Sequence, residues 1–326
     1  MSQATVDRLE VTQGFLDQRL AMLRADHERK IAPYMDATSE HLLRSPADFL
    51  EALKASFQPQ HNTSATLPFG ATHGRVAFNK GELTVWAGQN SSGKSLILGQ
   101  CCLDWIEQGE RVVLGSFEMS PVAVLKRMAR QASGGRYPSD AFLEQFTKWL
   151  SHERRFLFID HRGTLNPKRV LAEVRYGIAE EGATQTVIDN LGKVVRGTED
   201  YDAQKDLVND LAGIAADTNT HIHIAHHTRK SDDANKVPDK YSVLGSGAIS
   251  DFADQVFLVW KNAKKVEDRN TGVQVDEEKP DGMVIVAKSR NNEWEGRIGL
   301  WHNADSLAFR TTPDKAWART YDMGTA

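Results

Sequence analysis

Cysteine is almost absent: Cys101 and Cys102 are the only two in the 326-residue chain, and they are neighbours. Adjacent cysteines cannot staple distant segments, so a disulfide-built secreted scaffold is excluded and a reducing compartment is expected. Long apolar runs are missing too, and none approaches the length needed to span a bilayer. The opening MSQATVDRLE has no basic stretch leading into an apolar one, so no secretory leader is expected. These absences together point to a cytoplasmic protein without membrane contact. Positive charge is not in excess either: 40 Lys and Arg stand against 44 Asp and Glu, for a formal net charge of −4. Any grip on nucleic acid must therefore come from local basic loops. Internal repeats and low-complexity tracts are absent as well. What remains is an ordinary globular composition, 40% hydrophobic and 26% charged, long enough for one large domain with an appendage.

The first part of the chain reads as helical. Leu9, Leu16, Leu20 and Leu23 recur at near-heptad spacing within 5–31. A second helix is predicted over 44–57, with Ser45 as N-cap, Pro46 at the first helical position and Asp48 in the first turn. Residues 58–74 are polar and contain Pro and Gly, which reads as a loop or linker. The expected organisation is a helical extension at 1–60, a linker at 61–74 and one domain over 75–326.

From Gly81 the rhythm changes. Strands are predicted at 83–87, 111–116, 156–160, 185–189, 221–226, 255–260 and 283–288. Helices are predicted at 94–107, 121–133, 140–151, 167–181 and 203–217. Such alternation implies an α/β fold, with a mostly parallel twisted sheet flanked by helices. The late strands lack long helices between them, so an antiparallel hairpin is expected to close the sheet. Residues 261–281 mix both charge signs and read as an exposed hairpin loop.

The segment GQNSSGKS fits the phosphate-loop pattern, with Gly88, Asn90, Ser91, Ser92, Gly93, Lys94 and Ser95. A strand precedes it and a helix follows, as the chemistry requires. Backbone N–H groups wrap phosphates, Lys94 adds a charge at the outer phosphates, and the Ser95 hydroxyl can ligate Mg²⁺. The expected ligands are ATP and Mg²⁺. The run TQTVIDNLG ends a strand in Asp189, placed to hold that ion. The run VVLGSFEMSP ends another in Glu118, placed to orient or deprotonate an attacking water. HIHIAHH carries four histidines, but no cysteine is near and a fourth metal ligand is not evident, so packing is the expected role of His221 and His223.

These motifs, in this order, resemble the hexameric replicative helicases of the DnaB-like family, and especially its phage and mitochondrial members. KGELTVWAGQNSSGKS is similar to their first motif and SFEMSPVAVLKRMA to their second, whose Glu is the catalytic base. VIDNL resembles the metal-binding strand and HIAHHTRKSDD the strand that ends in a γ-phosphate sensor. LGSGAISDFADQVFLV resembles the fourth motif, and VAKSRNNEWEG the terminal hairpin that carries a lysine and an arginine finger. The resemblance covers about residues 75–310. It implies a RecA-like ATPase core, Glu118 as base and Asp189 as the metal-site acid. The sensor falls on His226 or His227, and the two remain open alternatives. Lys288 and Arg290 would reach the nucleotide of a neighbouring subunit.

The resemblance further implies a ring, a hexamer in the family, that translocates on single-stranded DNA in a bacterium or phage-infected cell, with a separate primase or polymerase as further partner. DNA contacts are expected from Lys193 and Arg196 in one loop, and from Arg229, Lys230, Lys236 and Lys240 in another. The backbone of Gly245, Ser246 and Gly247 would add to them. Two departures stand out. Leu244 occupies a position where many family members carry arginine, and nothing near the start resembles the family's globular N-terminal domain. The helices before the core are expected either to link subunits or to pack on their own core. Two rival readings share the fold: a RecA- or RadA-like recombination ATPase, and an ATP-switched single-strand-binding or loader-type module.

Overall fold

The computed structural model describes residues 21–35, 46–56, 64–161, 165–195, 200–228, 236–243, 247–292, 294–314 and 321–323. Residues 21–35 form helix α1. After a 3-10 turn at Pro46–Phe49 comes α2 (Leu50–Ser56). Two short strands, β1 (Ala65–Thr66) and β2 (Ala77–Phe78), pair antiparallel. The main sequence of elements follows: β3 (Leu83–Gly88), α3 (Lys94–Glu107), β4 (Val112–Ser116), α4 (Pro121–Ser133), α5 (Asp140–Ser151), β5 (Phe156–Phe158), α6 (Pro167–Ala179), β6 (Gln185–Asp189), α7 (Leu191–Val194), α8 (Tyr201–Thr218), β7 (His221–His227), α9 (Gly247–Phe252), β8 (Gln255–Lys261), α10 (Ala263–Asn270), β9 (Gly282–Ser289), β10 (Gly296–His302) and β11 (Phe309–Arg310).

The large sheet has the order β11-β10-β9-β8-β3-β7-β6-β4-β5. From β8 to β5 every pairing is parallel, while β9, β10 and β11 run antiparallel as the closing hairpin. β3 lies in the middle and all six of its residues are buried, as expected for a strand covered by helices on both faces. Its side chains alternate between two cores: Trp86 joins Phe78, Trp105 and Phe257 on one face, and Leu83, Val85 and Ala87 join Leu211 and Ile224 on the other.

Local chemistry accounts for the helix ends. Ser120 caps α4 by accepting from the Ala123 N–H, with Pro121 at the first position, and Gly134 ends it in the left-handed region. Ser139 caps α5 in the same way. Asp200 opens α8, and Asn219 ends it in the left-handed region.

The histidine pair at the start of β7 is packing, with each ring nitrogen used. His221 Nδ1–H donates to the Asn79 carbonyl (2.6 Å), and its Nε2 accepts from the Thr84 hydroxyl (2.8 Å). Trp86 donates to His223 Nδ1 (3.3 Å), and His223 Nε2–H donates to Gln185 Oε1 (3.0 Å). The His223 ring stacks on Trp105 at 4.3 Å between centroids.

Three expectations from sequence are corrected. Residues 64–74, read as the end of a linker, are anchored on the core through part of their length: Leu67 and Phe69 are buried, and Trp105 donates to the Thr66 carbonyl (3.0 Å). Apolar side chains spaced among polar ones are enough to anchor this stretch. Residues 261–281 are not a plain exposed loop, since α10 forms there. Lys265 is only 5% exposed and pairs with the buried Asp281 at 3.0 Å. Lys265 and Asp281 satisfy each other across the turn, while most other charged side chains of the stretch face water as expected. Helix 167–181 ends earlier, at Ala179.

Within the expected helix 5–31, residues 5–20 lie outside the described residues, as does Ser45. The helix observed at 21–35 packs on its own core. His27 bonds Glu173 (2.9 Å), Glu28 pairs with Arg169, Tyr34 bonds Glu180, and Ile31 is buried. No described helix is long and apolar enough to cross a membrane.

Candidate nucleotide site

The site lies at the carboxyl end of the parallel strands, where β3 turns into α3. Two glycines make the turn possible. A Cβ on Gly88 would sit 2.5 Å from the Val259 carbonyl oxygen and 2.6 Å from Ser92 Oγ. Gly93 has φ of +103°, and a Cβ there would meet the Phe309 ring at 3.0 Å. The Gly93 carbonyl then accepts from the N–H groups of Leu96 and Ile97, which starts α3. Lys94 folds back over the loop and donates to the carbonyls of Gly88 (2.8 Å) and Gln89 (2.9 Å). Its burial lowers the ammonium pKa to about 8, against the pull of Asp189 and Glu118.

Parallel pairing brings the other strand ends level with this turn. Gly88 is opposite His227, and Ser116 is opposite Asp189. Burial pushes the Asp189 carboxyl up, opposed by a hydrogen bond from Ser95 and by the Lys94 charge. The Asp189–Asn190 peptide is cis. Asn190, 3% exposed, donates from Nδ2 to Glu118 Oε1 (2.8 Å) and to His227 Nε2 (3.2 Å). Burial also lowers the His227 pKa, with Lys94 acting in the same direction.

The resulting cleft has a volume of about 670 Å³ and is lined by Asn90 to Ser95 with Glu118, Arg127, Asp189, Asn190 and His227. A second chamber of about 660 Å³ adjoins it on the side of Gln89, Asn90 and Ser92, walled by Tyr241, Trp260 and Lys261. The residues fit a nucleotide and its metal. The glycine cradle leaves the loop N–H groups room for phosphates. The buried Ser92 Oγ has no partner among the described residues. Ser95 and Asp189 present hard oxygen donors side by side.

Lys94, Ser95, Glu118, Asp189 and His227, all named from sequence, therefore meet in one place. His226 does not line the cleft: it is buried, one residue earlier on the strand and so on the opposite face. Lys288 and Arg290 do not line it either. Lys288 Nζ donates to the carbonyls of Ser250 and Ala253 (both 2.7 Å), and Arg290 reaches Asp254 (3.2 Å). The Arg290 N–H bonds the Asp254 carbonyl, and the Asp254 N–H bonds that of Leu83, which puts Arg290 level with the start of β3. Five residues of rise and two strand spacings then separate its backbone from Gly88 by about 20 Å.

Lys193 is exposed on α7. Lys236 is exposed and lines the second chamber. The loop that contains Lys236 is tied at its base by an antiparallel bridge between Thr228 and Val243. Lys240 begins the 3-10 turn Lys240–Ser242, and Gly247 begins α9. Arg196, Arg229, Lys230, Leu244, Gly245 and Ser246 lie outside the described residues.

Two residues of the cleft escaped the sequence reading. Asn190 was visible only as the neighbour of Asp189. Arg127 is marked by its place in the helical stripe Val124, Arg127, Gln131, which signals an inward face rather than a solvated one.

Strand order, crossovers and the loop at the end of β3 define a RecA-like P-loop nucleotide-binding domain. A family model described as an AAA domain matches residues 75–233. A solved chain described as an ATPase domain superposes with a TM-score of 0.69 at 16% identity, over 82% of this chain and 99% of that one. A chain of a DnaB-like replicative helicase, solved for its interactions with primase, superposes with a TM-score of 0.65 at 14% identity, over 94% of this chain and 76% of that one. The likeness to DnaB-like helicases drawn from the ordered motifs thus holds at the level of the fold.

Proposed function

We propose that this chain is the ATP-driven motor of a ring-shaped, hexameric DNA helicase that translocates on single-stranded DNA and hydrolyses ATP at subunit interfaces. The observation that carries the reading is the meeting of Lys94, Ser95, Asp189, Glu118 and His227 at the foot of the basic loop that starts at Thr228. A change at the terminal phosphate is felt by His227, and the next residue anchors that loop.

Within the cleft, loop N–H groups and Lys94 hold the phosphates, and the nucleoside end extends into the adjoining chamber. Mg²⁺, when bound, neutralises charge on the outer phosphates, and Ser95 with Asp189 would hold it. Glu118, oriented by the Asn190 amide, takes the proton of the attacking water. His227 reads the terminal phosphate. The position of Arg290, its backbone about 20 Å from Gly88 of its own loop, supports a role toward the nucleotide of a neighbouring copy, with Lys288 two residues away on β9. Lys193 and Lys236 are exposed, and in this reading they are available to the phosphates of single-stranded DNA.

The test is ATP turnover with and without oligo-dT, beside unwinding of a forked duplex. Lys94→Ala should abolish both. Full turnover by that variant would remove the site assignment. Turnover indifferent to DNA would instead fit an ATP-switched single-strand-binding module, and strand pairing without displacement would fit a recombination ATPase.

A further inference from the structure

α4 carries Val124, Arg127 and Gln131 along the face that packs on α3. Val124 and Gln131 are buried, and Gln131 is fixed by donating to the Leu96 carbonyl (2.8 Å). Arg127 lies between them, partly buried, with Leu98, Leu114 and Met128 around the same small cavity. Among the described residues it makes no ion pair and no hydrogen bond. Its charge acts through space on Asp189, whose carboxyl also takes a hydrogen bond from Ser95. A guanidinium at the wall of the nucleotide cleft, with no protein partner among the described residues, keeps its donors available to a bound anion.

Arg127 faces the cleft at one particular end. It lines the space that holds Ser95, Glu118 and Asp189, and also the cavity beneath Asp189 and Ser116. It takes no part in the second chamber beside Trp260 and Lys261. The geometry therefore places this cation where the outer phosphates end and away from the nucleoside.

We propose that Arg127 contacts the terminal phosphate of the nucleotide bound by its own subunit. It is a second cation in the same cleft as Lys94, independent of anything a neighbouring copy supplies. The planar guanidinium can donate to two oxygens of the terminal phosphate at once, beside the point charge of Lys94. The proposal rests on the nucleotide-site reading given above, and it predicts that Arg127 distinguishes a triphosphate from a diphosphate.

The experiment is a fluorescence titration of the full chain with ADP and with a non-hydrolysable ATP analogue. Arg127→Met keeps the apolar stem in its packing and removes the charge. A charge-assisted contact of this kind accounts for roughly tenfold or more in affinity. We expect analogue affinity to fall by about that factor, with ADP affinity changed less than about threefold, and Arg127→Lys to recover part of the loss. Equal losses for both nucleotides, or no loss for either, would overturn the proposal. Lys94→Ala separates the two levels: if it binds both nucleotides as tightly as the parent, the nucleotide-site reading fails, and this inference fails with it. Thermal melts of each variant identify a loss that comes from unfolding, and Arg127→Lys then carries the comparison.

Discussion

Asn190 offers the sharpest test of how the cleft is organised. Its side chain bridges Glu118 (2.8 Å) and His227 (3.2 Å), with no hydrogen bond to the phosphate loop or Lys94 among the described residues. Replacing it with alanine leaves the phosphate loop and Lys94 in place and removes the donor to Glu118, the proposed base. A hydrogen bond to a charged acceptor contributes about 1.5–3 kcal/mol. If that energy is expressed in the transition state, kcat should fall by roughly 10- to 150-fold. Nucleotide affinity should stay within about threefold, because uniform binding is untouched. Single-turnover ATP hydrolysis beside equilibrium nucleotide binding gives both numbers. Asn190→Asp should be at least as slow, since it sets a third carboxylate beside Glu118 and Asp189. If Asn190→Ala keeps kcat within about twofold, or loses affinity as much as rate, Asn190 is not a positioning residue and the proposed division of labour is wrong.

Buried titratable groups give two pH-dependent tests. His221, buried and held neutral, has its pKa lowered to about 4, and His223 is depressed too. A depressed histidine is protonated in the unfolded chain first, so its contribution to stability is present above about pH 6.5 and is lost as pH falls toward 4. His221 alone accounts for about 3 kcal/mol over that window, so urea midpoints should fall steadily from about pH 7 to about pH 4.5. A flat profile would contradict the packing described. Lys94, with its pKa lowered to about 8, should lose its proton in the free protein as pH rises through that value. Nucleotide affinity should therefore weaken above about pH 8, whereas Lys94→Arg should show no such fall; equal behaviour of the two would refute the assignment.

Much of the fold could be read directly from residue order. Gly88 and Gly93 mark the phosphate turn because no other residue fits those backbone positions, and the apolar run 83–87 can only be a strand covered on both faces. Asp189 and Glu118 were legible because each follows an apolar strand, and in a parallel sheet strand ends converge on one edge. Such features are local, and local sterics and periodicity dictate them.

What the sequence left open depended on contacts between distant segments. HIHIAHH could not say which histidine meets the nucleotide. Register set His227 opposite Gly88 at the cleft and turned His226 to the other face. The role of Asn190 appears only when β6, β7 and the turn after β4 are side by side. Lys288 and Arg290 read as reaching a neighbouring subunit's nucleotide; only the antiparallel pairing with β8 shows that they stand away from the cleft of their own chain. Lys265 and Asp281 read as solvated charges until the chain folded back and buried one against the other. Spacing along the chain specifies which residues share a strand or a helix face; only the packed sheet decides which of those faces meet, because that choice is made by burial and pairing across long separations.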